Sequence, residues 1–168
     1  MIPLYPECEH ADIPTLEEVL DLMRPTGMMI NIELKTGINF YEGIERMTYE
    51  LVEKKGMQKQ VIYSSFNHNS VMEMKRLDAA VKTGFLNCDE IYNVAAYAQS
   101  CGVTALHPWR IHLQTPGYVE ACKERGIQIH VWTVDSEEEV RKLKKLRVDA
   151  VITNYPDRVI RVIREENE

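Results

Sequence analysis

Two residues that could hold a charged ligand, Glu33 and Lys35, close the alternating stretch from Met28 to Lys35. In an extended chain successive side chains point to opposite faces. Ile30, Ile32 and Leu34 therefore share one face, and Asn31, Glu33 and Lys35 share the other. Carboxylate oxygens suit a hard divalent cation, and a lysine ammonium suits a phosphate oxygen as a point charge. On a plain surface strand the same two groups would do no more than pair with each other. The stretch 127–134 sorts in the same way, with Ile127, Ile129 and Val131 on one face and Gln128, His130 and Trp132 on the other. Trp132 offers an apolar wall to a ligand, or fills a core, and His130 reads as a hydrogen-bonded interior histidine rather than a catalyst. Ser64 and Ser65 end a strand, but no GxSxG elbow surrounds them, which argues against a serine nucleophile. His68 and His112 fall in loops, where a lone histidine is expected to be solvated, and His107 ends a strand. No HExxH, EF-hand loop, GxGxxG or P-loop is present.

The elements that must position these residues repeat one unit. Thr15 and Glu18 form a capping-box pattern that starts a helix to about Arg24, and Pro25 and Gly27 end it before the Met28–Lys35 strand. Further strands are predicted at 60–65, 82–86, 103–107, 127–134 and 149–153. Helices are predicted at 41–55, 69–79 and 89–100, from Pro116 in a first-turn position to Gly126, from a second capping box at Ser136 to about Arg147, and from Pro156 onward. Gly56, Gly102 and Gly126 stand just past helix ends, where a left-handed residue is wanted. Strands alternating with helices imply βαβ units and a parallel sheet. Periodicity leaves open both a doubly wound sheet and part of an eight-stranded barrel. In the barrel, the polar faces turn inward and Glu33 and Lys35 project into the mouth, where barrel enzymes keep their chemistry.

With 168 residues, 45% of them hydrophobic, the chain suits one globular domain, residues 14–168, behind a connector over 1–13 that carries Pro3 and Pro6. The net charge is −6, with acidic and basic residues mixed. That pattern argues against a nucleic-acid surface, which needs clustered cations. No apolar run approaches the ~20 residues of a membrane span. Cys8, Cys88, Cys101 and Cys122 show no CxxC or CxxH spacing, so a zinc site is not expected, and reduced thiols in the cytoplasm are.

Taken together and in order, Ile13-Pro-Thr-Leu-Glu-Glu-Val-Leu20, Ile32-Glu-Leu-Lys35, Ser64-Ser-Phe66, Val131-Trp-Thr-Val134 and Asp149-Ala-Val-Ile-Thr-Asn-Tyr-Pro156 resemble the glycerophosphodiester phosphodiesterase family from about residue 13 onward. The resemblance implies an α/β TIM barrel, with hydrolysis of glycerophosphodiesters to glycerol 3-phosphate and an alcohol using Ca²⁺ or Mg²⁺. By position, Glu33 resembles the family's metal-binding glutamate and Lys35 its phosphate-contacting lysine. Trp132 looks like the pocket's aromatic wall, with Ser65 and Phe66 at its edge. Asn154 stands where many members have aspartate. The family's leading His-Arg-Gly, Glu-Asn-Thr, Glu-x-Asp and His-Asp motifs have no counterpart here. They carry the acid–base histidines and two of the metal ligands, so no catalytic residue is assigned in this chain. The resemblance thus implies an incomplete barrel, strands three to eight with the first two missing, in a truncated and by itself inactive chain. Its open edges would invite self-association or a complementing N-terminal segment. The alternative is a catalytically dead remnant that binds phosphate-bearing ligands or serves assembly.

Overall fold

Helix α1, Leu16–Met23, begins where its sequence asks it to. The Thr15 hydroxyl accepts from the Glu18 amide at 3.3 Å, and the Glu18 carboxylate accepts from the Thr15 amide at 2.8 Å. Two of the otherwise unpartnered donors of the first turn are thereby satisfied. The fold is given by a computed structural model that describes residues 12–165, so most of the connector expected over 1–13, and Cys8 with it, lies outside the described residues. After α1 come β1 (Ile30–Glu33), α2 (Ile44–Lys54), β2 (Val61–Ser65), α3 (His68–Leu77), β3 (Lys82–Asn87), α4 (Val94–Ser100), β4 (Ala105–Pro108), α5 (Tyr118–Glu124), β5 (Gln128–Val131), α6 (Glu137–Leu146), β6 (Ala150–Val151) and α7 (Pro156–Glu165).

The strands pair in parallel in the order β1-β2-β3-β4-β5-β6. A doubly wound sheet reverses its strand order at a switch point. This one never does, and its helices cover one face, so the sheet is a curled, open barrel. Register assigns the two faces. Ile32, Tyr63, Thr83 and Phe85 belong to the helix side, whereas the row Glu33, Ser64, Gly84, Ala105 and Gln128 crosses five strands on the inner side. Two clusters fill the helix side. Leu20, Val52, Val61, Tyr63 and Met74 pack under α1 to α3. Val71, Phe85, Leu106, Ile129, Val131 and Val162 pack under α3 to α7. Each large side chain buried in this way contributes about 1.5–3 kcal/mol. Among the described residues, no helix is long and apolar enough to cross a membrane.

The strands expected over 28–35, 127–134 and 149–153 are shorter, and three helices start later than the sequence predicts, each helix for a local reason. The helix expected from 41 starts at Ile44, because Gly43 before it adopts φ 79°. The helix expected from 89 starts at Val94, after Asn93 at φ 55°. Pro116 does not open α5, because Gly117 at φ 81° intervenes and the helix begins at Tyr118. A left-handed residue cannot be helical, so in each case it sets the start.

Candidate functional site

All strands point the same way, so their C-terminal ends form one rim. On β1 the Glu33 carboxylate faces inward and pairs with the Lys35 ammonium at 3.2 Å, the two side chains being 30% and 80% exposed. The turn beneath them is tied down. The Ser65 hydroxyl donates to the Leu34 carbonyl and accepts from the Asn67 amide, Thr36 and Ser70 share a hydrogen bond at 2.6 Å, and the Asn67 side chain donates to the Thr36 carbonyl at 3.3 Å. Ser65 is fully buried. Its hydroxyl faces the protein, and its place at the rim is that of a brace for the segment carrying Lys35. Beside Glu33 in the register lies Ser64, also fully buried, whose hydroxyl has no hydrogen-bond partner among the described residues.

Phe66 and Trp132, sixty-six positions apart, meet at the mouth edge-to-face, with ring centroids 5.6 Å apart and planes at 86°. Trp132 follows β5 and is held from three directions by the end of β4. Its amide donates to the Pro108 carbonyl at 3.2 Å, its carbonyl accepts from the Arg110 amide at 2.9 Å, and its indole N–H donates to the His107 carbonyl at 2.7 Å. One layer down, the His130 Nδ1 and His107 Nε2 atoms lie 3.0 Å apart. Burial holds both imidazoles neutral. His107 is pushed down to about 3 by desolvation, reinforced by His130, and desolvation lowers His130 as well.

The two histidines expected in loops are not solvated, and His68 is the first residue of α3. His68 stacks on Phe85 at 3.9 Å, donates from Nε2 to the Leu86 carbonyl at 3.0 Å and bonds the Tyr97 hydroxyl through Nδ1 at 3.1 Å. His112 is buried; its Nδ1 accepts from the Asn87 side chain at 3.1 Å and its Nε2 donates to the Cys88 carbonyl at 3.2 Å. Each ring closes a gap between a strand end and the following loop, which no local sequence pattern announces.

Sequence reasoning also missed Asp135. Its carboxylate accepts from the Asn154 amide at 2.9 Å, the Asn154 side chain at 2.9 Å and the Thr153 hydroxyl at 3.1 Å. These donors, Asn154 first, hold the Asp135 carboxyl below its ordinary value. The clasp ties the segment after Trp132 to the end of β6, and the departure at Asn154 was the one signal pointing to it. Asp135→Asn is expected to lower the unfolding midpoint by a few degrees, because neutral amide bonds replace the charge-assisted bonds from Asn154 and Thr153. Asp135→Asn with Asn154→Asp is expected to recover most of that loss, since donor and acceptor are restored with their ends exchanged. Thermal unfolding of the three proteins checks this; a double variant no better than the single would refute a direct side-chain bond.

A divalent cation of the hard class takes about six oxygen ligands. Among the described residues, no group of three or more His, Cys, Asp or Glu side chains is placed to share an ion. Glu33 supplies one carboxylate and is already paired with Lys35. The described residues therefore do not make up a metal site.

The profile of the Glycerophosphoryl diester phosphodiesterase family matches residues 3–158. A glycerophosphodiester phosphodiesterase of Caldanaerobacter subterraneus subsp. tengcongensis is 34% identical over 153 residues, which cover 91% of this chain and 63% of that protein. Among solved structures, a glycerophosphodiester phosphodiesterase from Parabacteroides distasonis superposes with a TM-score of 0.83 at 24% identity, covering 92% of this chain and 66% of the other. A phosphodiesterase from Oleispira antarctica, solved in complex with the product sn-glycerol-3-phosphate, superposes with a TM-score of 0.80 at 24% identity, covering 90% of this chain and 61% of the other. The chain thus spans less than two thirds of the curated relative it matches. With the family profile running along almost the whole chain, the protein belongs to the glycerophosphoryl diester phosphodiesterase family.

Proposed function

We propose that this chain carries the phosphate-facing part of a metal-dependent glycerophosphodiester phosphodiesterase, which hydrolyses glycerophosphodiesters to glycerol 3-phosphate and an alcohol. The observation that carries the reading is the Glu33–Lys35 pair at the open end of β1. Lys35, 80% exposed, is free to swing onto a phosphate oxygen. Glu33 offers one carboxylate to Ca²⁺ or Mg²⁺, whose remaining ligands come from outside the described residues. Trp132 and Phe66 wall the glycerol or head group, and Ser65 braces the edge. Cleavage needs a general base and a general acid for the leaving alkoxide. His68 and His112 use both ring nitrogens in bonds to the protein, and His107 and His130 bond each other through one nitrogen apiece. The histidines therefore read as structural, and the described residues supply binding without turnover.

The 3.2 Å contact between Glu33 and Lys35 favours a second reading, a phosphate-ligand-binding or assembly module that has no catalysis in any context. In either case the side of β1 away from β2 is a docking edge for a second copy or a complementing segment, since among the described residues β1 bonds β2 alone. The scattered thiols fit a reducing cytoplasm.

The test is release of glycerol 3-phosphate from glycerophosphocholine with Ca²⁺ or Mg²⁺, run on the chain and on Glu33→Gln, beside a titration with glycerol 3-phosphate. No turnover is expected from either protein. The chain should bind glycerol 3-phosphate, and Lys35→Met should bind about tenfold more weakly, the ~1.4 kcal/mol of one charge-assisted contact. Ion-dependent turnover that disappears in Glu33→Gln would overturn the inactivity of the isolated chain and exclude the module reading. Failure of the unaltered chain to bind would overturn both.

A further inference from the structure

Beneath the mouth, a glycine and two histidines interlock across three strands. Gly84 on β3 faces inward, and the His107 ring from β4 occupies the space a side chain there would need. A Cβ at position 84 would lie 2.4 Å from His107 Nε2, 2.8 Å from Cδ2 and 3.0 Å from Cε1. Real Cβ atoms do not approach ring atoms so closely, so the glycine and the imidazole fit only each other. The ring cannot swing aside freely, because it is fully buried and its Nε2 is bonded to His130 on β5 at 3.0 Å. The two imidazoles lie 4.7 Å apart and tilted by 39°.

What this lock holds is the acceptor for Trp132. The indole N–H donates to the carbonyl of His107 itself, and the Trp132 backbone bonds Pro108 and Arg110, the residues that follow. A buried imidazole serving only as filler would need neither a glycine opposite nor a second histidine at hydrogen-bond distance. We propose that His107 is a positioning residue: its ring, seated in the notch of Gly84 and bonded to His130, fixes the end of β4 and through it the orientation of the Trp132 indole at the mouth. The inference deepens the proposed function, because it rests on Trp132 as the wall of the ligand site.

The chain has two tryptophans, so Trp109→Phe leaves Trp132 as the sole tryptophan, read with excitation on the red edge where tyrosine does not absorb. In that background His107→Ala and Gly84→Ala should each shift the Trp132 emission to the red and raise its quenching by acrylamide. Gly84→Ala combined with His107→Ala should be no worse than His107→Ala alone, because the added methyl no longer meets a ring. Far-UV circular dichroism confirms that each variant is folded. Where His107→Ala is not, His107→Gln takes its place, keeping an amide towards His130 while emptying much of the notch. Quenching and emission unchanged in a folded His107 variant would overturn the proposal, and so would strictly additive effects of the two alanines. Titration with glycerol 3-phosphate then separates the two layers of inference. Altered Trp132 fluorescence with binding weakened about tenfold, ~1.4 kcal/mol, supports both. Altered fluorescence with no glycerol 3-phosphate binding by the unaltered chain supports the lock and overturns the ligand site built on it.

Discussion

Replacing Phe85 by alanine is expected to cost about 3–5 kcal/mol, enough to leave the fold marginal. Phe85 is fully buried on β3 and belongs to the larger of the two cores. Its ring stacks on His68 at 3.9 Å and 11° and lies 5.2 Å from the ring of Tyr97, so its loss opens a cavity beneath two aromatic rings at once. His68 is itself bonded to the Leu86 carbonyl and the Tyr97 hydroxyl, which prevents it from collapsing into the space. A cavity that cannot close carries the full penalty. Phe85→Leu, which keeps most of the volume, should lose roughly half as much. Urea unfolding of the three proteins at neutral pH measures both differences. A loss below about 1 kcal/mol for Phe85→Ala would mean that the site repacks and that the stack contributes little.

The second large effect is acid sensitivity. His107 has an ordinary value of 6.5 and is pushed down to about 3 in the folded protein, first by burial and then by His130. Because the folded value lies below the unfolded one, the unfolded chain takes up the proton first. The stability associated with neutral His107 is complete above pH 6.5 and is lost as the pH falls towards 3. By pH 4 the loss from this group is about 3 kcal/mol. His130 and His68, both lowered by burial, fall in the same direction and add to it. Carboxylates held low by their partners, such as Asp135 and Glu137, act further down, losing their contribution only as they protonate. Urea unfolding at a series of pH values should therefore show stability falling from about pH 6.5, well before carboxylates titrate. In His107→Gln that early fall should be much reduced, although the variant starts from a lower stability at pH 7. A flat profile down to pH 5 would show that the pair is solvated or readily charged.

Much of the architecture was legible in the chain because its signals are local. The reciprocal bonds of Thr15 with Glu18, and the bond from the Glu139 amide to the Ser136 hydroxyl, involve residues three apart. Gly56, Gly102 and Gly126 end their helices at φ 69°, 63° and 67°, a conformation that glycine adopts without penalty. Alternation along β1 and β5 placed Glu33, Lys35, His130 and Trp132 on one side, because extended backbone forces a period of two. Where local signals misled, a stronger local feature prevailed, as at Pro116, whose helix-starting tendency yields to the left-handed Gly117.

The sequence by itself determined which residues could face a ligand: the polar side of each strand, with Glu33 and Lys35 at one end. Only the tertiary structure decided which of them stand together. Parallel pairing brought Ser64 beside Glu33, curling brought Phe66 onto Trp132, and the absence of a side chain at Gly84 admitted His107. Each of these contacts joins different strands, so each depends on register and on the curl of the whole sheet. Those are properties of the assembled layer, set by burial summed over both cores, and no window of neighbouring residues contains them.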